Sequence, residues 1–222
     1  MGLRLDAYGP NAALLRFAAD GDATAFVRSA ALQDFLEHHP PAGLMEVTPG
    51  VTTLLLEFEA GQRPDLRLLE LRMAAVLRAP SEPMAEARVV EIPMVYDGPD
   101  LDRVARQAGC SRAEVVALHA ASVYRVQLLG FAPGFAYLSG LDTRLHTPRL
   151  DTPRPRVPAG SVAIGGPHTG VYPVATAGGW NLIGRTDKVL LDRDRAAVGD
   201  AAAFALHPGD AVRFFEVDGR GA

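Results

Sequence analysis

The sequence predicts two domains, a small α+β sandwich followed by a mainly-β barrel or closed sandwich. Three observations carry this prediction. Up to Leu77 the apolar residues alternate in pairs of short runs, each pair followed by a run with helical spacing. A Pro-punctuated break, Ala79-Pro80-Ser81-Glu82-Pro83, then interrupts the pattern. Beyond it, Leu128 to Thr186 is so rich in Gly and Pro that no ordinary helix fits, because Pro lacks a backbone donor and Gly costs conformational entropy. Short apolar runs between such breakers form strands joined by specific turns.

Leu3, Leu5 and Ala7 alternate as a first strand, Tyr8-Gly9-Pro10-Asn11 turns, and Ala12 to Phe17 is a second strand. Asp20 to Asp22 can cap a helix carrying Val27, Ala31 and Phe35 at spacings of four. Leu44–Thr48 and Thr52–Glu59 are strands around Pro49-Gly50. Pro64 opens a second helix, along which Leu66, Leu69, Met73, Val76 and Leu77 keep helical spacing. The order ββαββα describes an α+β domain over residues 1–82, ferredoxin-like in size.

The second domain is expected over residues 83–222. Val90, Ile92 and Met94 alternate, with Pro93 suiting an edge strand. Gly98-Pro99-Asp100 opens a helix that stops at Gly109. Ser111-Arg112-Ala113-Glu114 is a capping box for the next helix, which ends near His119. Strands are expected at Tyr124–Phe131, Ser161–Ile164, Gly170–Val174, Asn181–Ile183, Val189–Leu191 and Val212–Val217.

Composition narrows the function. With 48% hydrophobic residues the chain is not disordered, and a net charge of −4 gives no nucleic-acid footprint. The single cysteine, Cys110, allows no internal disulfide. No apolar leader or membrane span is evident, so a cytoplasmic protein with no membrane partner is expected. No G-x-x-x-x-G-K-[ST] or dinucleotide fingerprint occurs, and the lone lysine, Lys188, is in no biotin-carrier context. The histidines have no compact metal-ligand spacing, so no metal site is expected.

Arg149, Arg154, Arg156 and Arg185 punctuate the Gly/Pro-rich region, bringing fixed cations near glycine-built turns. The guanidinium fork suits a carboxylate or phosphoryl group, so a small anionic substrate or a partner's loop fits there. The competing reading is salt bridging to Asp142, Asp151 or Asp187. Arg154 reads as solvated. Gly178-Gly179-Trp180 can let a ligand approach the backbone while the indole forms a wall, or it can be a core Trp beside a bulge. Pro158 and Ser161 belong to a tight turn; Ser161 is not a nucleophile elbow.

The words GFAPGFAYLSGL (Gly130–Leu141), TPR (Thr147–Arg149), RVPAGSVAIGG (Arg156–Gly166), TGVYP (Thr169–Pro173) and GGWNLIGRT (Gly178–Thr186) stand in this order. Together they resemble the KipI family, the B subunit of bacterial 5-oxoprolinase, also called allophanate hydrolase subunit 1. The resemblance implies a cyclophilin-like barrel and a carboxyltransferase-type domain. It further implies a role in ATP-dependent opening of 5-oxoproline to glutamate, with ATP in the complex and with the A and C subunits of 5-oxoprolinase as partners. The same family offers two alternatives: inhibition of a sporulation-type histidine kinase, or a carboxyltransferase or allophanate hydrolase-type subunit. His119 matches the family's H-x-x-x-x-Y word, ending at Tyr124. On this basis His119, Arg156 and Arg185 are expected to be catalytic, and Arg149, Pro158, Ser161, Gly178, Gly179 and Trp180 to bind substrate. Departures from the family words occur at His168 and at Thr176-Ala177, both on expected loops.

Overall fold

The computed structural model describes residues 3–19, 22, 24–62, 65–79 and 87–219. The chain divides into two compact units, Met1–Ala85 and Glu86–Ala222. The expected junction between residues 82 and 83, and Pro64 as a helix start, lie outside the described residues.

The first unit has a four-stranded antiparallel sheet in the order β1-β2-β4-β3, from β1 (Arg4–Ala7), β2 (Ala12–Arg16), β3 (Leu44–Pro49) and β4 (Thr53–Phe58). Two helices, α1 (Ala25–His38) and α2 (Leu66–Arg78), contribute to one core with Leu15, Phe17, Leu54 and Leu56. The connectivity is ββαββα, not the βαββαβ of a split βαβ ferredoxin unit. Helix α1 buries Ala25, Phe26, Ser29, Leu32 and Leu36, residues adjacent to the expected Val27, Ala31 and Phe35, which are only half-buried. Helix α2 starts at its Asp65 cap, whose carboxylate accepts from the Leu68 amide, and buries Leu69 and Met73 as their spacing requires.

The second unit is built on a seven-stranded sheet, β12-β9-β10-β7-β6-β13-β5. Its strands are β5 (Val89–Met94), β6 (Tyr124–Leu129), β7 (Ala136–Ser139), β9 (Ser161–Gly165), β10 (His168–Val171), β12 (Asn181–Arg185) and β13 (Ala211–Glu216). All pairs are antiparallel except β13 with β5. The two ends of the sheet meet. Val95, just past β5, exchanges hydrogen bonds of 2.8 and 2.9 Å with Arg185 at the end of β12. The Gly98 amide adds a third bond, to the Ile183 carbonyl. A Cβ on Gly184 would collide with the Val95 carbonyl oxygen, so only glycine permits this seam. The result is a nearly closed, mixed barrel.

Helices α3 (Leu101–Ala108) and α4 (Arg112–Ala121) supply Val104, Ala105 and Val115 to the barrel core. Gly109 ends α3 in the left-handed conformation, and Ser111 with Glu114 forms the capping box of α4. A two-stranded ribbon pairs β8 (Arg154–Val157) with β11 (Thr176–Gly178). The expected strand at Val189–Leu191 is not one: only Leu191 bridges, to Phe204, ahead of a short helix α5 (Arg193–Ala197).

Candidate functional site

Helix α4 places Val115 and His119 on its buried face, four residues apart. His119 is 0% exposed and sits among Tyr96, Tyr124 and Phe214. Its Nδ1 lies 2.8 Å from the Tyr96 hydroxyl and its Nε2 3.0 Å from Thr169 Oγ1. Thr169 gives its only hydroxyl proton to the Ala163 carbonyl. Thr169 therefore accepts from His119 Nε2–H, and His119 Nδ1 accepts from Tyr96. The tautomer is fixed by this chain of neutral bonds. Burial drives the imidazole pKa down to about 3, so the ring is neutral at pH 7. The expected proton-transfer role needs a reachable imidazole; both ring nitrogens are instead engaged inside the barrel core. The Val115–His119 spacing was the signal in the sequence for that burial.

The four arginines of the Gly/Pro-rich region separate into two kinds. Arg185 pairs with Asp97 at 2.9 Å, a partner 88 positions away that inspection of the sequence did not suggest. Arg154 was expected to be solvated and is instead half-buried: it donates to Asp100 at 2.8 Å and to the Trp180 carbonyl. Asp100, 8% exposed, also accepts from the Leu182 amide at 2.7 Å, which pins the start of α3 to β12. By contrast, Arg149 and Arg156 are exposed and make no ion pair with the described residues. Arg149 lies over the Trp180 ring, its Cζ 5.7 Å from the ring centroid.

Trp180 is 5% exposed and packs edge-on against Phe135 and Tyr137. A Cβ on Gly165 would stand 2.5 Å from the indole, so Gly165 forms the floor beneath it. Gly178 admits the Tyr172 hydroxyl, with which a Cβ there would collide. The Gly179 carbonyl accepts from the Leu150 amide at 2.7 Å, tying the Arg149 loop to the Trp180 turn. Arg149, Gly178, Gly179 and Trp180 are thus brought together. Ser161 is elsewhere: it is 7% exposed, faces Arg185 in the β9–β12 register, and closes a turn from Pro158 with Gly160 at φ +81°. Inspection of the sequence missed Tyr137, Tyr172, Asp100 and Asp97. Tyr172 stood in the TGVYP word, and Asp100 in Gly-Pro-Asp, where it was read only as a helix opener.

Among the described residues no cluster of three or more His, Cys, Asp or Glu could hold a metal ion. Among them, too, no helix is long and apolar enough to cross a membrane. The first unit has a groove of about 350 Å³ lined by Gly9, Asn11, Phe58 and Gln62 among others, none of them ionisable.

A small α+β unit followed by this barrel is the architecture of a carboxyltransferase-type domain. The family model for the carboxyltransferase domain, subdomain C and D, matches residues 3–199. Two relatives that carry the name of the 5-oxoprolinase B subunit are similar to the chain. The Escherichia coli O157:H7 protein is 54% identical over 132 residues, 58% of this chain and 58% of that protein. The Bacillus subtilis protein is 34% identical over 229 residues, 96% of this chain and 92% of that protein. The chain belongs to the carboxyltransferase C and D family, together with proteins named as 5-oxoprolinase B subunits. Among solved structures, that of TTHA0988 is 42% identical with a TM-score of 0.72; the match covers 94% of this chain but only 40% of the other. The Kluyveromyces lactis urea carboxylase superposes at a TM-score of 0.80 over 97% of this chain and 22% of its own, at 22% identity, which speaks to the cyclophilin-like fold alone.

Proposed function

We propose that this chain is the B subunit of an ATP-dependent 5-oxoprolinase complex that acts with the A and C subunits to open 5-oxoproline to glutamate. The observation that carries this reading is the near-full-length similarity to the B. subtilis protein of that name. The chemistry explains why several subunits are needed. A lactam is a poor acyl donor because its nitrogen delocalises into the carbonyl, so the amide oxygen has to be activated before water can open the ring.

ATP supplies that activation, but the helix starts of this chain are poor cradles for its phosphates. Phosphates favour a helix N-terminus with free amides. Here Asp22 accepts the Thr24 amide ahead of α1, Asp65 caps α2, the buried Asp100 opens α3, and Ser111 with Glu114 closes α4. Side chains thus cap α2 and α4 directly, while Asp22 and Asp100, without capping α1 and α3, set negative charge near those starts. In this reading the nucleotide is held by another subunit, and this chain contributes recognition of a small anion and a rigid barrel for assembly. The purified chain alone is then inactive, and co-expression with the A and C subunits restores ATP-dependent glutamate formation from 5-oxoproline. Turnover by the single chain, or none by the reconstituted complex, would refute the reading.

One observation favours a second reading, a binding module that inhibits a histidine kinase. Phe131 is 60% exposed and is the one non-glycine residue with positive φ (+72°) among those described, an arrangement that costs backbone energy and suits a contact residue. Unchanged kinase autophosphorylation in the presence of the chain would remove this alternative.

A further inference from the structure

We infer that Arg149, laid across Trp180, is the seat for the carboxylate of a small organic acid. Anion binding needs a cation whose charge is not already spent. Arg154 and Arg185 are held by Asp100 and Asp97, while Arg103 keeps its charge but has its fork tied to the amide oxygen of the buried Asn181. Arg156 is unpaired among the described residues, but it stands on the β8 ribbon, one position from the buried Val157, with no aromatic ring of the described residues beneath it. Arg149 combines an unneutralised fork with a fixed platform.

That platform is built rather than incidental. Gly165 below, with Phe135 and Tyr137 at the edges, fixes the plane of the indole. Contact with a buried ring reduces the rotamer freedom Arg149 would otherwise lose on binding, and its guanidinium, in no ion pair with the described residues, suits a planar, two-oxygen partner. Tyr172, 1% exposed, lies under the same turn, with its hydroxyl against Gly178. Burial raises the pKa of that phenol, so it stays a neutral hydroxyl. A cation on an aromatic floor, next to a turn whose Gly178 and Gly179 carry no side chains, matches a compact acid with one carboxylate and a short apolar or amide body.

Trp180 is the only tryptophan in the chain, so its emission reports from the site itself. The choice of probe rests on the function proposed above: L-5-oxoproline, with 2-pyrrolidinone, the same lactam without the carboxylate, as control. Binding is measured by equilibrium dialysis and followed by Trp180 emission. Wild-type chain should bind 5-oxoproline saturably and 2-pyrrolidinone at least about tenfold more weakly, the loss expected for one charge-assisted contact. Arg149→Gln should lose at least about tenfold, Arg149→Lys should recover only part of that, and Arg195→Gln, at an exposed pair with Asp200, should bind as wild type. No binding by the wild type, equal binding of the two lactams, or undiminished binding by Arg149→Gln would each overturn the inference. The two readings fail separately. An active reconstituted complex whose KM is unchanged by Arg149→Gln defeats the carboxylate seat alone. Carboxylate-dependent binding without 5-oxoprolinase activity in the complex defeats the enzyme reading alone.

Discussion

Acidification should destabilise the barrel through a single histidine. In the folded chain His119 is fully buried and neutral, with a pKa near 3, while in the unfolded chain it returns to the ordinary value of 6.5. The unfolded state therefore binds a proton below pH 6.5 that the folded state refuses. The stability contributed by the neutral ring is complete above pH 6.5 and is lost progressively as pH falls toward 3. At about 1.4 kcal/mol per pH unit, lowering the pH from 7 to 5 should cost about 2 kcal/mol. That window lies above the range in which the carboxylate of Asp210, kept below its ordinary pKa by Arg88 despite its burial, begins to protonate. The assay is urea unfolding at pH 7, 6 and 5 followed by Trp180 emission, which reports on the barrel. His119→Gln cannot titrate. It should be less stable at pH 7 by about 1–3 kcal/mol, because the Tyr96 and Thr169 hydroxyls lose their shared partner, yet its stability should change little from pH 7 to 5. A wild type whose stability is flat across that window, or a variant with the same slope as the wild type, would refute the argument.

Three further outcomes follow from packing and pairing. Gly165→Ala puts a methyl 2.5 Å from the indole and should lower the melting temperature, by about 1–3 kcal/mol of overpacking, with a shift in Trp180 emission; a variant that melts as wild type would show that the floor can yield. Ser111→Ala removes the capping box of α4 and should cost about 1 kcal/mol in chemical denaturation, and a loss below a few tenths would mean that Glu114 caps alone. Arg185→Ala breaks an ion pair whose side chains are 43% and 47% exposed, so stability should change by less than about 1 kcal/mol; a much larger loss would make Arg185 a structural brace of the barrel seam.

What could be read from the chain followed local rules. The capping box at Ser111, the stop at Gly109 and the strand at Asn181 are each set by a few adjacent residues, and each is present. Strand β8 escaped notice because Arg154-Pro155-Arg156-Val157 carries a proline and two charges; it is tolerated in a two-stranded ribbon where one face is open. The face of α1 was misread by one residue because Phe26, Val27, Ala30 and Ala31 surround the helix with apolar choices, and tertiary contact decides among them. The candidate site was legible as a set of words but not as a grouping. Nothing local distinguishes Arg149, which meets Trp180, from Arg185, which meets Asp97, since both partners are brought in by tertiary folding from elsewhere in the chain.

Closure of the barrel also dictates a timetable. Strand β5 is the first of the barrel to be synthesised, yet its sheet partners, β13 and the Val95–Arg185 seam, come from far downstream; Arg88 and Asp210, which clasp one end of the β5–β13 pair, are 122 positions apart. Contacts so distant in the chain slow folding and leave an emerging strand unpaired for most of synthesis. An unpaired apolar strand is a template for association between chains. The composition of β5 answers that exposure. Glu91 and Pro93 fall between Val90, Ile92 and Met94, one bringing a charge and the other removing a backbone donor, so the strand is poorly suited to pairing with its own copies while it waits for β13.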